Sequence, residues 1–117
     1  IMLSKLIIYQ FMCIYEISTT QQFIKLNNKQ NCVAVLTNNL DFKKEYIKSA
    51  NFEFTPIQFS GKFIGNSYKV ANLYISSSVT SDGTQVSSIF ANLQFPLIIQ
   101  DVIFQNITVK SQATNMA

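Results

Sequence analysis

One short pattern recurs along this chain and constrains its fold more than any other feature. An apolar residue is followed, after one position, by Asn or Asp, then by an apolar residue, any residue and another apolar residue. The pattern occurs at 70–75, 99–104 and 104–109, with a looser copy at 37–42. Because side chains alternate across a strand, each copy predicts a short strand with one apolar side and a polar corner.

The spacing of the copies indicates how these strands would be arranged. Leu40, Leu73 and Val102 hold equivalent places and stand 33 and 29 residues apart. Periods of about 20–50 residues are typical of solenoids, in which each coil covers the apolar side of its neighbour. We therefore expect these three residues to lie over one another, with Asn72 and Asp101 stacked at the corner because an amide bonds backbone or a stacked partner.

Residues 59–75 combine this alternation with a turn. Phe59 and Phe63 would point to the same side of one strand. Gly65, Asn66 and Ser67 are typical of a turn, since glycine tolerates positive φ and Asn and Ser can bond their own backbone. A segment that bends every few residues and keeps one side apolar suggests a coil of strands.

The same segment resembles the F-x-G-x-F-D-G-N-G-Y-x-I-x-N-L signature of GLUG-motif proteins. These are adhesin-like secreted or surface-anchored chains, and the signature also occurs in the non-catalytic region of immunoglobulin-A-cleaving zinc peptidases. Ile64 and Ser67 stand where the family usually has Asp and Gly, and residues 15–26, 36–42 and 55–57 resemble further family landmarks in the same order. The matching positions are Phe59, Gly61, Phe63, Gly65, Asn66, Tyr68, Asn72 and Leu73. The resemblance implies a right-handed parallel β-helix and a surface or binding role.

We therefore predict an all-β fold, a right-handed parallel β-helix (solenoid) with a short N-terminal capping helix. Residues 1–14 form an apolar segment, either a capping strand or a weak signal-peptide remnant. Residues 15–117 form a single β-helix domain, which belongs to a longer chain with neighbouring repeats. The alternative fold is an antiparallel β-sandwich, which requires a hairpin between residues 59–64 and 68–75.

Two local predictions accompany this fold. Residues 18–26 read as the capping helix, with Ser18 or Thr19 as its N-cap and Gln21 or Gln22 closing a capping box. Residues 43–48 and 76–87 read as exposed loops that the module presents for binding.

The residue types that usually carry catalysis are absent or scattered in this sequence, which argues against an enzyme. His is absent, which removes the commonest general base and the usual metal ligand. The six acidic residues are scattered and lack the pairing that calcium binding or acid–base work needs. We expect no catalytic residue, cofactor or metal, although a fragment of a carbohydrate-active β-helix enzyme, a lyase or hydrolase, is the alternative.

The positive net charge of the chain and its lack of Arg limit the classes of partner that we expect. The net charge of +3 is carried by Lys alone, and the lack of Arg argues against a nucleic-acid partner. Lys43, Lys44, Tyr46 and Lys48 could meet an anionic glycan or phospholipid surface, or could simply form a solvated loop. The first apolar run is too short to span a bilayer. The sequence predicts a non-enzymatic extracellular or cell-surface module whose partner is a host or cell-surface glycan or protein.

The two cysteines do not identify a scaffold. Cys13 and Cys32 are too few for a disulfide framework or a four-cysteine zinc site. They would form one bridge in a secreted chain, or two buried apolar thiols, and we expect the thiols.

Overall fold

The computed structural model describes residues 13–77, 89–91 and 95–111. In chain order the elements are β1 (Cys13–Ile17), α1 (Thr20–Ile24), β2 (Lys29–Leu36), β3 (Leu40–Asp41), α2 (Lys43–Lys48), β4 (Phe59–Ile64), β5 (Lys69–Ser77), β6 (Leu97–Gln100) and β7 (Ile103–Ser111).

The strands form two parallel sheets. The first sheet has the order β1-β2-β4-β6, and the second sheet has the order β3-β5-β7. Every pairing between these strands is parallel. Successive strands alternate between the sheets from β2 onward, so each segment of two strands contributes one strand to each sheet.

The predicted all-β, right-handed parallel β-helix solenoid is wrong. The described residues form two parallel sheets with two short helices, and no solenoid is detected among them. Asn72 bonds to partners 31 residues before it and 34 after it, whereas β1 and β2 are offset by 19 residues. These unequal offsets, with helices inserted between strands, do not make the regular repeat that the sequence pattern suggested.

The predicted register is also wrong. Leu73 pairs with Ile107 rather than with Val102. Residues 99–104 do not form one strand, because Asp101 has a φ of 58° and the chain turns there between β6 and β7. Asp101 therefore accepts a hydrogen bond from Ser67 in the neighbouring turn, at 2.9 Å, instead of stacking on Asn72.

The antiparallel β-sandwich alternative is wrong as well. Its hairpin would pair Phe59–Ile64 with residues 68–75. These segments are β4 and β5, which lie in different sheets and pair with other strands. The turn between them is nevertheless where the sequence predicts it, with φ of 53° at Asn66 and 65° at Ser67.

The helix predicted over residues 18–26 is present over Thr20–Ile24, with the predicted capping box, although there is no solenoid among the described residues for it to cap. The Thr19 hydroxyl accepts a hydrogen bond from the Gln22 amide at 3.1 Å. In return, Gln22 Oε1 accepts from the backbone amides of Thr19 at 3.2 Å and Ser18 at 2.7 Å. A five-residue helix is not stable alone, and the complete burial of Phe23 supplies the packing that holds it in place.

Residues 43–48, which we expected to be an exposed loop, form the helix α2. Asp41 Oδ1 accepts a hydrogen bond from the Lys43 amide at 2.9 Å and so satisfies one of the free amides at the start of the helix. The predicted loop at 76–87 lies almost entirely outside the described residues, as do residues 1–12 of the predicted N-terminal segment. Cys13 and Ile14 belong to β1.

The core lies between the two sheets and is rich in phenylalanine. Its buried cluster includes Phe59 and Phe63 from β4 and Val70 and Leu73 from β5. Aromatic rings meet edge to face within it, with the Phe63 ring centroid 5.6 Å from that of Phe23.

Two glycines allow close backbone approach. Gly61 has a φ of 114°, and a Cβ there would collide with the backbone of Cys32 on β2. A Cβ on Gly65 would collide with the Asp101 carbonyl and with Val102. Glycine at both positions therefore lets neighbouring segments pack at sheet distance.

The two cysteines form a disulfide, so the expectation of two free thiols is wrong. Cys13 and Cys32 lie directly opposite each other in the β1–β2 pair, with a Cα–Cα distance of 4.7 Å. Opposed positions on adjacent strands bring two cysteines into bonding range, which sequence spacing alone does not reveal.

Replacing both cysteines should destabilise the protein. The bridge joins residues 19 apart, and a loop of that length is expected to contribute about 3 kcal/mol to the free energy of unfolding. The Cys13→Ala/Cys32→Ala variant should lose about this amount in denaturant titrations, and reduction of the wild-type protein should produce a similar loss. Two thiols that react in the unreduced, denatured protein would show the assignment to be incorrect.

Candidate functional site

An open groove runs along the outer surface of the second sheet and has a volume of about 1100 Å³. We call it the outer groove. Its walls come from α2, from the segment 50–58, and from β5 and β7. The side chains that line it include Lys43, Tyr46, Phe52, Asn72, Tyr74 and Asn106.

Alternation along β5 places one aromatic ring in the groove. Leu73 and Ile75 are buried in the core, with 1% and 0% of their surface exposed, whereas Tyr74 between them is 48% exposed. The same alternation that builds the core therefore presents a large aromatic face to the groove.

A tyrosine of α2 completes the edge of the second sheet. The Tyr46 hydroxyl donates a hydrogen bond to the Tyr74 carbonyl and accepts one from the Tyr74 amide, both at 2.9 Å. β3 has only two residues and pairs with Val70 and Ala71, so it does not reach Tyr74. The hydroxyl thus takes the place of a missing strand, while its ring packs edge to face on Phe52 at 5.0 Å.

A row of polar side chains crosses the second sheet, which we call the amide ladder. Asn72 Nδ2 donates to Asp41 Oδ1 at 2.8 Å, and Asn106 Nδ2 donates to Asn72 Oδ1 at 2.6 Å. Asn72 and Asn106 have φ of 63° and 56°, a left-handed conformation that Asn adopts more readily than most residues. The ladder links β3, β5 and β7 and fixes the direction of two amides that line the groove.

Two carboxylates stabilise this region. The hydrogen bond from Asn72, together with that from the Lys43 amide, holds the pKa of Asp41 below its ordinary value. Glu45 is buried and joins the two helices, accepting from the Thr20 hydroxyl at 2.8 Å and from Gln21 Nε2 at 3.1 Å. The Thr20 bond is the main cause that lowers the Glu45 pKa.

The structure brings together only part of the predicted binding set. Lys43 and Tyr46 line the outer groove, but Lys44 and Lys48 are exposed on α2 and are not among its lining residues. Lys43 and Tyr46 therefore share the groove, while Lys44 and Lys48 lie on the exposed part of α2. The sequence predicts these four residues on one loop, whereas the structure places them on a helix, and their role in binding stays a prediction.

The residues that match the GLUG signature have structural roles in the core, in the turn between β4 and β5, and in the amide ladder. Phe59, Phe63 and Leu73 are buried in the core, and Tyr68 packs against it partly exposed. Asn66 Nδ2 donates to the Leu36 carbonyl at 3.1 Å and ties the turn to β2. Gly61 and Gly65 permit the close approaches described above, and Asn72 belongs to the amide ladder.

Of the aromatic residues that line the groove, the sequence predicts Tyr46 as a binding residue but not Phe52 or Tyr74. Phe52 and Tyr74 carry no motif that separates a groove-lining ring from a core ring, because their exposure depends on what packs beside them. Asn106 did have a sequence indication, since it stands at the polar corner of the last copy of the repeated pattern.

Two further features, a metal-binding cluster and a membrane-spanning helix, are absent from the part of the chain that the structure describes. Within 13–77, 89–91 and 95–111, no group of three or more His, Cys, Asp or Glu side chains is placed to hold a metal ion. None of the helices seen in these ranges has the length and apolar character needed to cross a membrane.

No family model, no curated protein and no solved structure matches the chain. The resemblance of residues 59–75 to the GLUG signature therefore stays a prediction from those residues.

Substitutions at Asn72 should separate the contribution of its side-chain hydrogen bonds to stability from the contribution of its left-handed backbone conformation. Asn72→Gly loses two hydrogen bonds, at a cost of about 2 kcal/mol in the free energy of unfolding. Asn72→Ala loses the same bonds but keeps a Cβ in the left-handed region, where Ala lacks the polar side chain that makes Asn tolerant, so it should be about 1 kcal/mol less stable than Asn72→Gly. Denaturant titration would measure both, with the exposed Gln105→Ala on β7 as the matched control. Equal stability of all three variants would contradict a structural role for the ladder.

Acid should weaken the attachment of α2 to α1. The folded pKa of Glu45 lies below its ordinary value of 4.5, so its contribution to stability is complete above that value and is lost as the pH falls through the folded pKa. Glu45→Gln should therefore lose less stability than the wild type between neutral pH and about pH 3, as measured by thermal unfolding. Adding Asp41→Asn should reduce the pH dependence further, because the pKa of Asp41 is also lowered. An unchanged pH dependence in Glu45→Gln would refute this assignment.

Proposed function

We propose that this chain is a non-enzymatic binding module, secreted or displayed at the cell surface, which holds its ligand in the outer groove. The observation that carries the proposal is the groove itself, a concave surface that combines exposed aromatic rings with oriented amides. Small-molecule and polymer sites commonly pair apolar walls with a few placed polar groups.

The polar groups of the groove favour binding over catalysis. Lys43 and Glu53 are the only charged residues among the described residues that line it. The Tyr46 hydroxyl already donates and accepts a hydrogen bond with the Tyr74 backbone, so it is occupied in holding the fold. General acid–base catalysis needs positioned groups that are available to exchange protons. The side chains that hydrogen bonds orient in the groove are amides, whereas Lys43 and Glu53 are exposed.

The disulfide supports a location outside the cytosol. Cys13–Cys32 is a bridge between two neighbouring strands. Structural disulfides form and persist in oxidising compartments, that is, in secreted and surface proteins.

Binding of the labelled full chain to intact cells would test the proposal. The wild-type protein should bind cell surfaces saturably, and Tyr74→Asp should bind about ten-fold more weakly because it removes the exposed ring from the groove. Ile98→Asp on β6 is the matched control, since Ile98 is also an exposed apolar residue, at 55%, but lies in the first sheet.

Two outcomes would contradict the proposal. Equal binding by the wild type and Tyr74→Asp, with both variants folded by circular dichroism, would show that the groove is not the site. Turnover of polysaccharides in the presence of calcium would favour the carbohydrate-active enzyme instead.

A further inference from the structure

We infer that the ligand of the outer groove is a neutral oligosaccharide. This inference rests on the proposed binding function and names the chemical class that the groove would recognise. It follows from the charge of the groove, from its exposed rings and from its oriented amides.

Charge argues against an anionic ligand. Among the described residues, the groove is lined by one ammonium group, on Lys43, and one carboxylate, on Glu53. Lys44 and Lys48 are not among the residues that line the groove, so they add no positive charge to its surface. Recognition of sulfated or carboxylated polymers relies on several convergent cations, and the described lining does not provide them.

The exposed rings suit a ring-shaped ligand with an apolar face. Tyr74 presents 48% of its surface, and Phe52 is partly exposed beside Tyr46. A pyranose carries its C–H groups on its faces and its hydroxyl groups around its rim. Stacking such a face on an aromatic ring removes apolar surface from water while the rim stays free to form hydrogen bonds.

The amides suit the rim of the same ligand. Asn51, Gln58, Asn72 and Asn106 all line the groove. Each amide both donates and accepts, as each sugar hydroxyl does, so one amide can serve two adjacent hydroxyl groups. Asn72 and Asn106 are already held by the ladder at 2.8 and 2.6 Å, which reduces the entropy lost when a ligand binds.

The size of the groove favours an oligomer over a single sugar. Its volume of about 1100 Å³ exceeds what one pyranose ring occupies, and the groove is open to solvent along its length. An open cleft of this kind accepts a chain that continues beyond the site. A proline-rich peptide could also stack on the rings, and its carbonyls would accept from the amides of the groove. Proline has no backbone N–H, however, so the amide oxygens would be left without matched donors.

Calorimetric titration of the full chain would test the inference directly. The probes are neutral hexasaccharides of glucose, mannose and xylose, with heparin, polygalacturonate and a proline-rich decapeptide for comparison. At least one neutral hexasaccharide should bind with little dependence on salt. Tyr74→Ala and Asn106→Ala should each weaken that binding about ten-fold, whereas Lys44→Ala/Lys48→Ala, the matched control outside the groove, should leave it unchanged.

Three results would overturn the inference. Salt-dependent binding of an anionic polymer that is lost in Lys44→Ala/Lys48→Ala would assign the ligand to the lysines of α2. Tighter binding of the peptide than of every saccharide would assign the rings to a polypeptide. Neutral saccharide binding that is unaffected by both Tyr74→Ala and Asn106→Ala would place the sugar elsewhere.

If no saccharide in the panel binds, the binding of the protein to cells treated with periodate, or stripped of sialic acid and heparan sulfate, would show whether the ligand is a neutral glycan. Periodate cleaves vicinal diols, so loss of cell binding after periodate, with retention after removal of sialic acid and heparan sulfate, supports a neutral glycan. Cell binding that survives periodate overturns the inference but leaves the proposed function standing. Absence of cell binding altogether contradicts the proposed function itself.

Discussion

The packing of phenylalanine side chains between the two sheets is the interaction on which the rest of the structure depends. Phe23 is fully buried and its ring lies 5.7 Å from that of Phe42 and 5.6 Å from that of Phe63. These three residues come from α1, from the segment before α2 and from β4. One side chain thus joins a helix that is too short to persist alone to both sheets, and burial of the rings supplies the free energy that orders them.

The outer groove is a consequence of this core. Because Leu73 and Ile75 point into the core, Tyr74 must point outward. The position of α2 then decides what lies beside that ring. Glu45 holds α2 to α1 through Thr20 and Gln21, and Tyr46 holds it to β5. The groove is therefore shaped by side-chain contacts that also stabilise the fold, and the Tyr46 hydroxyl takes part in one of them.

Local features were predictable because they depend on neighbouring residues. The capping box of α1 uses Thr19 and Gln22, three positions apart, and the turn at Asn66 and Ser67 needs residues that tolerate positive φ. The repeated pattern also identified Asn72 and Asn106 as polar corners. Its copy at 99–104 failed, because a pattern of residue types does not distinguish a strand from two strand ends separated by a turn at Asp101.

Sequence by itself determined the capping box of α1, the turn at Asn66 and Ser67, and that no histidine is present. Tertiary structure alone decided the register that sets Leu73 against Ile107, the pairing of Cys13 with Cys32, and the meeting of Tyr46 with Tyr74. The physical reason is that turns and caps are stabilised within a few residues, whereas strand pairing is stabilised by contacts between distant segments. A change of a few residues in the spacing moves every such contact while leaving the local pattern intact.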